Sequence, residues 1–262
     1  MADQTAPSAD ASQRSADVTR QAAVVAALAA TIAVNTIAIK LPLNGQSTGA
    51  ISARFPLKIT PPGYVFGIWG VIYSGLMGYG IYQALPAQRE NPRLRRVGWP
   101  FVLSCAANVA WIFLWHYNRP RLSLGAMFGL LLALITINTR LGRALEGPLG
   151  EKLLAKLPFS VYLGWISVAT LVNITVLLYD VGWDGFAINE DVWTAALLSI
   201  GAGAGAGMGA LRGDVAFPLV LVWAFRGIAE KQADNAIIAP TAKAATAAAA
   251  LSAAAGVWRA TK

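Results

Sequence analysis

The sequence predicts an all-α, polytopic transmembrane helical bundle, a five-helix module followed by about three further transmembrane helices. Two observations carry that prediction. The 262 residues are 56% hydrophobic and only 13% charged, about half the charge of an ordinary soluble domain. The charges also cluster, leaving charge-free runs at 21–39, 59–88, 97–118, 122–139, 157–179 and 192–211. A helix rises about 1.5 Å per residue, so runs of this length match a hydrocarbon layer of about 30 Å. A soluble enzyme is thereby excluded.

The pattern of runs and breakers places helices at about 21–42, 62–86, 97–117, 121–143, 153–180, 191–211, 214–230 and 236–258. The polar, Ala/Ser-rich residues 1–20 read as a disordered cytoplasmic tail. Arg14 and Arg20 ahead of the first run mimic a signal peptide, but the run is too long for one, and it is taken as a retained first span. The seventh helix rests on the least, because Asp214 and Arg226 bracket a short apolar stretch that contains Pro218. The eighth is alanine-rich, with Lys243 near one end. Composition changes near residue 180, from Trp, Tyr, Phe and Asn to the GAGAGAGMG run at 201–209 and the alanine-rich end, which suits close helix packing. The chain therefore divides into 1–20, a five-helix module at 21–184 and an extension at 185–262.

The net charge of +8 belongs to short loops between apolar runs, so it points to a bilayer and not to nucleic acid. With eight spans, 13 of the 21 Lys and Arg fall on the side shared by both termini. The loop at 180–191 carries Asp180, Asp184, Glu190 and Asp191 and no basic residue. Both termini are expected in the cytoplasm, with the protein in the cell membrane. Cys105 is the only cysteine, so no intramolecular disulfide forms. A single His116 and the absence of CxxC or HExxH spacing leave no protein-built metal site expected.

The densest motif is PPGYVFGIWGVIYSGLMGYGIYQ at 61–83. Its prolines suit a loop and a first helical turn, Trp69 and Tyr73 share a helix face, and Gly63, Gly67, Gly70, Gly75, Gly78 and Gly80 allow a neighbouring backbone or a flat ligand to come close. Ser104, Asn108, Trp111 and Trp115 form a polar and indole stripe on the third helix, and Trp165, Ala169 and Asn173 form one on the fifth. Asn35 and Asn138 add an amide to the first and fourth helices. Such amides must face the bundle interior. They fit two arrangements equally: interhelical hydrogen bonds, or a pocket walled by indoles with a few polar groups.

These segments resemble the TspO/MBR family, the tryptophan-rich sensory proteins and translocator proteins (peripheral benzodiazepine receptors). PPGYVFGIWGVIYSGLMGYGIY is similar to the family's second helix, AANVAWIFLW to its third-helix Asn-x-x-Trp segment, 122–142 to its fourth helix and LPFSVYLGWISVATLVN to its fifth. The resemblance covers roughly 21–184. It implies a five-helix bundle whose pocket is capped by the first loop, here about 43–60, and which binds porphyrins such as protoporphyrin or haem, sterols and benzodiazepine-type drugs. Carried over by motif, the ligand-binding residues are Tyr64, Phe66, Trp69, Tyr73, Asn108, Trp111, Trp165, Ala169 and Asn173. Tyr64 stands where the family often has Trp, and the Pro62–Trp69 spacing is one residue short. Asn173 is followed by Ile174, and the basic residue of the family's sterol stretch is missing after Tyr179.

The expected function is thus a membrane receptor or sensor for a flat hydrophobic ligand, a tetrapyrrole or a sterol. No cofactor is required, and porphyrin or haem would be a bound ligand. His116 at a helix end reads as an interfacial residue more readily than as a haem ligand. A transporter of such ligands and a porphyrin-degrading photo-oxidative enzyme are the alternatives, and a homodimer is left open.

Overall fold

A computed structural model describes residues 9–41, 43–144, 146–183 and 188–260. Helix α1 spans Ala9–Lys40 and is followed by a short α2 at Thr48–Ala53. Next come α3 (Ile68–Ala84), α4 (Pro92–His116) and α5 (Pro120–Leu141). A single turn, α6 (Leu149–Glu151), runs through a π turn at Lys152–Lys156 into α7 (Leu157–Asp180). The chain ends with α8 (Glu190–Arg212), α9 (Ala216–Lys231) and α10 (Ile238–Ala260). Among the described residues, six helices are long and apolar enough to cross a membrane: α1, the segment Gly63–Ala84, α4, α5, the segment Leu149–Asp180, and α8. The all-α polytopic bundle is therefore observed.

Sequence chemistry accounts for the ends. Asn91 caps α4, accepting from Arg93 N at 3.0 Å and Leu94 N at 3.3 Å, with Pro92 in the first turn where no N–H is needed. Helix α4 thus begins five residues before the expected 97. Arg93 and Arg95 sit within it and reach Glu151 and Asp17. The π turn coincides with Pro158, which has no N–H for the carbonyl of Leu154.

Helix α1 also starts before its expected boundary: residues 9–20 are helical and not irregular, while 1–8 lie outside the described residues. Partners distant in the chain hold this polar segment. Arg95 Nε donates to Asp17 at 2.9 Å, Arg20 Nη2 donates to Arg89 O at 2.8 Å, and Gln21 Nε2 donates to Gln83 O at 2.6 Å. Asp17, Arg20 and Gln21 are consequently buried.

The two ends of the bundle differ. At one, Arg140 reaches Arg96 O, and Arg212 reaches Asn138 O and Gly142 O, together with the α1–α4 contacts just described. At the other lie α2, Lys58, Tyr64 and the α9 terminus.

Helix α9 has 16 residues, about 24 Å of rise, and α10 is alanine-rich. Neither counts among the six long apolar helices. Helix α9 nevertheless runs between the two ends, because Asp214 caps it at the basic end and Lys231 meets Thr60 at the other, and α10 returns to the basic end, where Gly256 faces Asp214 and Val215. Asp214 Oδ1 accepts from Ala216 N, Phe217 N and, at 2.5 Å, Ser160 Oγ of α7. The glycine run behaves as its composition predicts. Gly201 faces Phe225, Gly205 faces Leu221, and a Cβ on Gly209 would fall 2.2 Å from Ser252 O.

Gly209→Ala should therefore destabilise the protein by about 1–3 kcal/mol through overpacking. Gly203→Ala, which points into open space, should be neutral or stabilising by up to about 1 kcal/mol. Thermal unfolding in detergent separates the two.

Candidate ligand-binding site

Pro61 and Pro62 end the loop after α2, and residues Gly63–Gly67 form a 3-10 turn before α3 begins. The tighter turn advances side chains by about 120° per residue instead of 100°. Phe66 and Trp69 thereby face inward and Tyr64 turns away.

Inside the bundle is a cavity of about 600 Å³, within the range of small-molecule sites. Its walls come from α1 (Asn35, Ile39), α3 and the turn before it (Phe66, Trp69, Tyr73), α4 (Trp111, Trp115) and α7 (Trp165, Ala169, Asn173). Residues Thr48, Ser52, Phe55 and Pro61 of the first loop cover one end.

Two aromatic groups form most of the wall. Trp69 stacks on Tyr73 with centroids 5.4 Å apart and meets Trp165 edge-on at 6.3 Å, while Phe66 meets Trp165 edge-on at 5.5 Å. On α4, Trp111 and Trp115 stack at 5.6 Å, and Phe55 from the loop contacts Trp115 at 6.0 Å. These offset and edge-on arrangements are the favourable ones for rings.

Polar groups are few and mostly committed. Asn35 Nδ2 donates to Asn108 Oδ1 at 2.7 Å, and Asn108 Nδ2 donates to Tyr162 Oη at 2.9 Å. Trp111 Nε1 donates to Asn173 Oδ1 at 3.1 Å. The indole N–H groups of Trp115 and Trp165 are buried without a hydrogen-bond partner among the described residues.

Seven of the nine residues singled out from sequence line the cavity: Phe66, Trp69, Tyr73, Trp111, Trp165, Ala169 and Asn173. Two do not. Asn108 is 1% exposed and spends its amide on α1 and α7. Tyr64 is half-exposed, packs edge-on against Trp223 at 5.4 Å and donates its hydroxyl proton to Glu230. The two arrangements open to the buried amides therefore coexist: Asn35 and Asn173 both cross-link helices and line the cavity, whereas Asn138 lies toward the basic end beside Arg212.

Among the other lining residues, three bear most on the site. Trp115 lies four residues from Trp111, a spacing that carried the signal, and Phe55 falls within the loop expected to cap the pocket. Lys231 sits on α9, far along the chain, and only the fold brings it here. The glycines of α3 and of the turn before it also divide. Gly75, Gly78 and Gly80 face Pro158, Leu154 and Leu28, whereas Gly67 and Gly70 face open space.

Hydrogen bonds at both ends fasten the covering loop. His116 is fully buried at the end of α4, with Nδ1 2.8 Å from Ile112 O and Nε2 3.2 Å from Thr48 Oγ1. Its carbonyl accepts from Asn44 Nδ2 at 3.0 Å. Both ring nitrogens are thus engaged, Nδ1 within α4 and Nε2 on α2. The far half of the loop docks on the C-terminal helices. Lys58 Nζ donates to Asp191 at 2.5 Å, and this hydrogen bond raises the Lys58 ammonium above the usual lysine range. Gln232 Nε2 donates to Lys58 O and Trp223 Nε1 to Val65 O.

Asn108→Ala should cost about 1–3 kcal/mol, since Asn35 and Tyr162 would each lose a buried partner. Denaturant unfolding in mixed micelles measures it, with Tyr64→Phe expected to cost less because its partner is exposed.

The family model for TSPO-like proteins matches residues 21–258. That match takes in α8–α10, beyond the 21–184 covered by the sequence resemblance. No curated protein and no solved structure matched the chain. With most of the chain matched and a bundle holding, among the described residues, six helices long and apolar enough to cross a membrane, the protein belongs to the TSPO-like family of integral membrane proteins.

Proposed function

We propose that this protein is a membrane receptor for a flat, largely apolar ligand of the tetrapyrrole kind, held in the cavity among Trp69, Trp111 and Trp165. The observation that carries the reading is the cavity itself, about 600 Å³ with indoles contributed by three separate helices beneath a fastened loop. Ring faces and edges supply dispersion and electrostatic contact to a planar π system. Sterols offer the apolar body but no extended π face, so this wall supports a planar ring system better.

The uneven ends of the bundle support an orientation. Loops rich in Arg and Lys belong on the cytoplasmic side, which favours both termini there and a cavity opening toward the opposite face of the cell membrane.

Titration with protoporphyrin tests the reading through quenching of tryptophan fluorescence. Saturable quenching of the wild type is expected, with the dissociation constant raised at least about tenfold in a Trp69→Ala, Trp165→Ala double variant. Tyr64→Phe, which lies outside the cavity, should leave the affinity unchanged. Full affinity in the folded double variant would remove the pocket from the account.

A further inference from the structure

The lining of the cavity is apolar, aromatic or neutral-polar with a single exception among the described residues, Lys231. This lysine is the last residue of α9, in the C-terminal module, and it stands at the mouth beside Thr60 and Pro61. Its Nζ donates to Thr60 O at 2.9 Å, and an ammonium has three donors. One bond to a carbonyl leaves donors free for another acceptor.

Two charge pairs form close by at this end. Lys58 pairs with Asp191 at 2.5 Å, and Arg226 pairs with Glu230 at 2.9 Å, while Glu230 also takes the Tyr64 hydroxyl. Lys231 forms no ion pair among the described residues, so its positive charge is uncompensated at the rim of an apolar chamber. Its position is fixed from both sides, because Gln232 binds Lys58 O at 3.0 Å and Trp223 binds Val65 O at 2.9 Å. A Cβ on Gly227 would fall 2.5 Å from Val65 Cγ2, so α9 lies directly against the turn that presents Phe66.

We propose that Lys231 selects ligands bearing a carboxylate at one end of the flat apolar body, with the body among the indoles and the acid group at the mouth. Helix α9 is then part of the binding site, and the three C-terminal helices have a recognition role beyond packing. An ammonium meeting a carboxylate makes a charge-assisted hydrogen bond, stronger than a neutral one. A neutral ester of the same ring system keeps every indole contact and loses only this one. The inference rests on the ligand-binding reading above.

The test compares protoporphyrin with its dimethyl ester by tryptophan quenching, using the full chain in phosphatidylcholine nanodiscs at low salt. The wild type should bind the acid about fivefold more tightly than the ester, as expected for a partly exposed ion pair. Lys231→Met should abolish that preference while leaving the ester affinity in place, and Lys231→Arg should retain it. A preference that survives in Lys231→Met overturns the proposal, as does equal binding of acid and ester by the wild type. If Lys231→Met weakens acid and ester by the same factor, the lysine serves only to hold Thr60, and the proposal again falls. Absence of quenching by either compound overturns the ligand-binding reading itself, an outcome distinct from loss of the acid preference alone.

Discussion

The hydrogen-bond chain from Asn35 through Asn108 to Tyr162 is the constraint on which the site depends. Hydrocarbon offers no water to a polar side chain, so each amide placed there must find a protein partner. One chain of two bonds, 2.7 and 2.9 Å long, joins α1, α4 and α7 and fixes their spacing next to the cavity. Tyr162 then packs against Trp69 with centroids 6.0 Å apart, so the polar chain also sets the position of an indole in the wall. The Trp111–Asn173 bond repeats the device one helical turn further along α4. Indoles on helices held this way form a preorganised slot, which would lower the ordering cost of the proposed binding.

The C-terminal helices extend the same logic by different means. Small residues let α8, α9 and α10 approach closely, with Gly201, Gly205 and Gly209 receiving Phe225, Leu221 and Ser252. Van der Waals contact of this kind substitutes for a hydrophobic force that lipid tails do not supply. Asp214 fastens the module to α7 at one end, through Ser160, and Lys58–Asp191 fastens it to the covering loop at the other. The loop is therefore held between two bodies: its first half by His116 of α4, through Asn44 and Thr48, its second half by α8 and α9.

Much of this was legible in the sequence because membrane helices leave a strong local signal. Charge-free runs located the spans, and the spacing of Trp165, Ala169 and Asn173 placed three residues on one face that lines the cavity. Misreadings arose where the determinant was not local. Residues 9–20 look irregular on composition, yet Asp17 finds Arg95 across 78 residues and the segment folds as helix. The family motif carries Tyr64 into the pocket, but in the 3-10 turn at Gly63–Gly67 it faces α9, against Trp223 and Glu230. Asn108 lies one short step from Trp111 on the same helix, and only the positions of α1 and α7 decide that its amide is spent between helices. Nothing in the chain around Lys231 announces a site residue, since its significance comes from where α9 ends.

A structure of the protein determined with protoporphyrin bound is the most direct measurement of the central claim. The account predicts ring density inside the cavity, in contact with Trp69, Trp111 and Trp165 beneath the loop that carries Phe55. Ring density on the lipid-facing surface, with those indoles untouched, would contradict it.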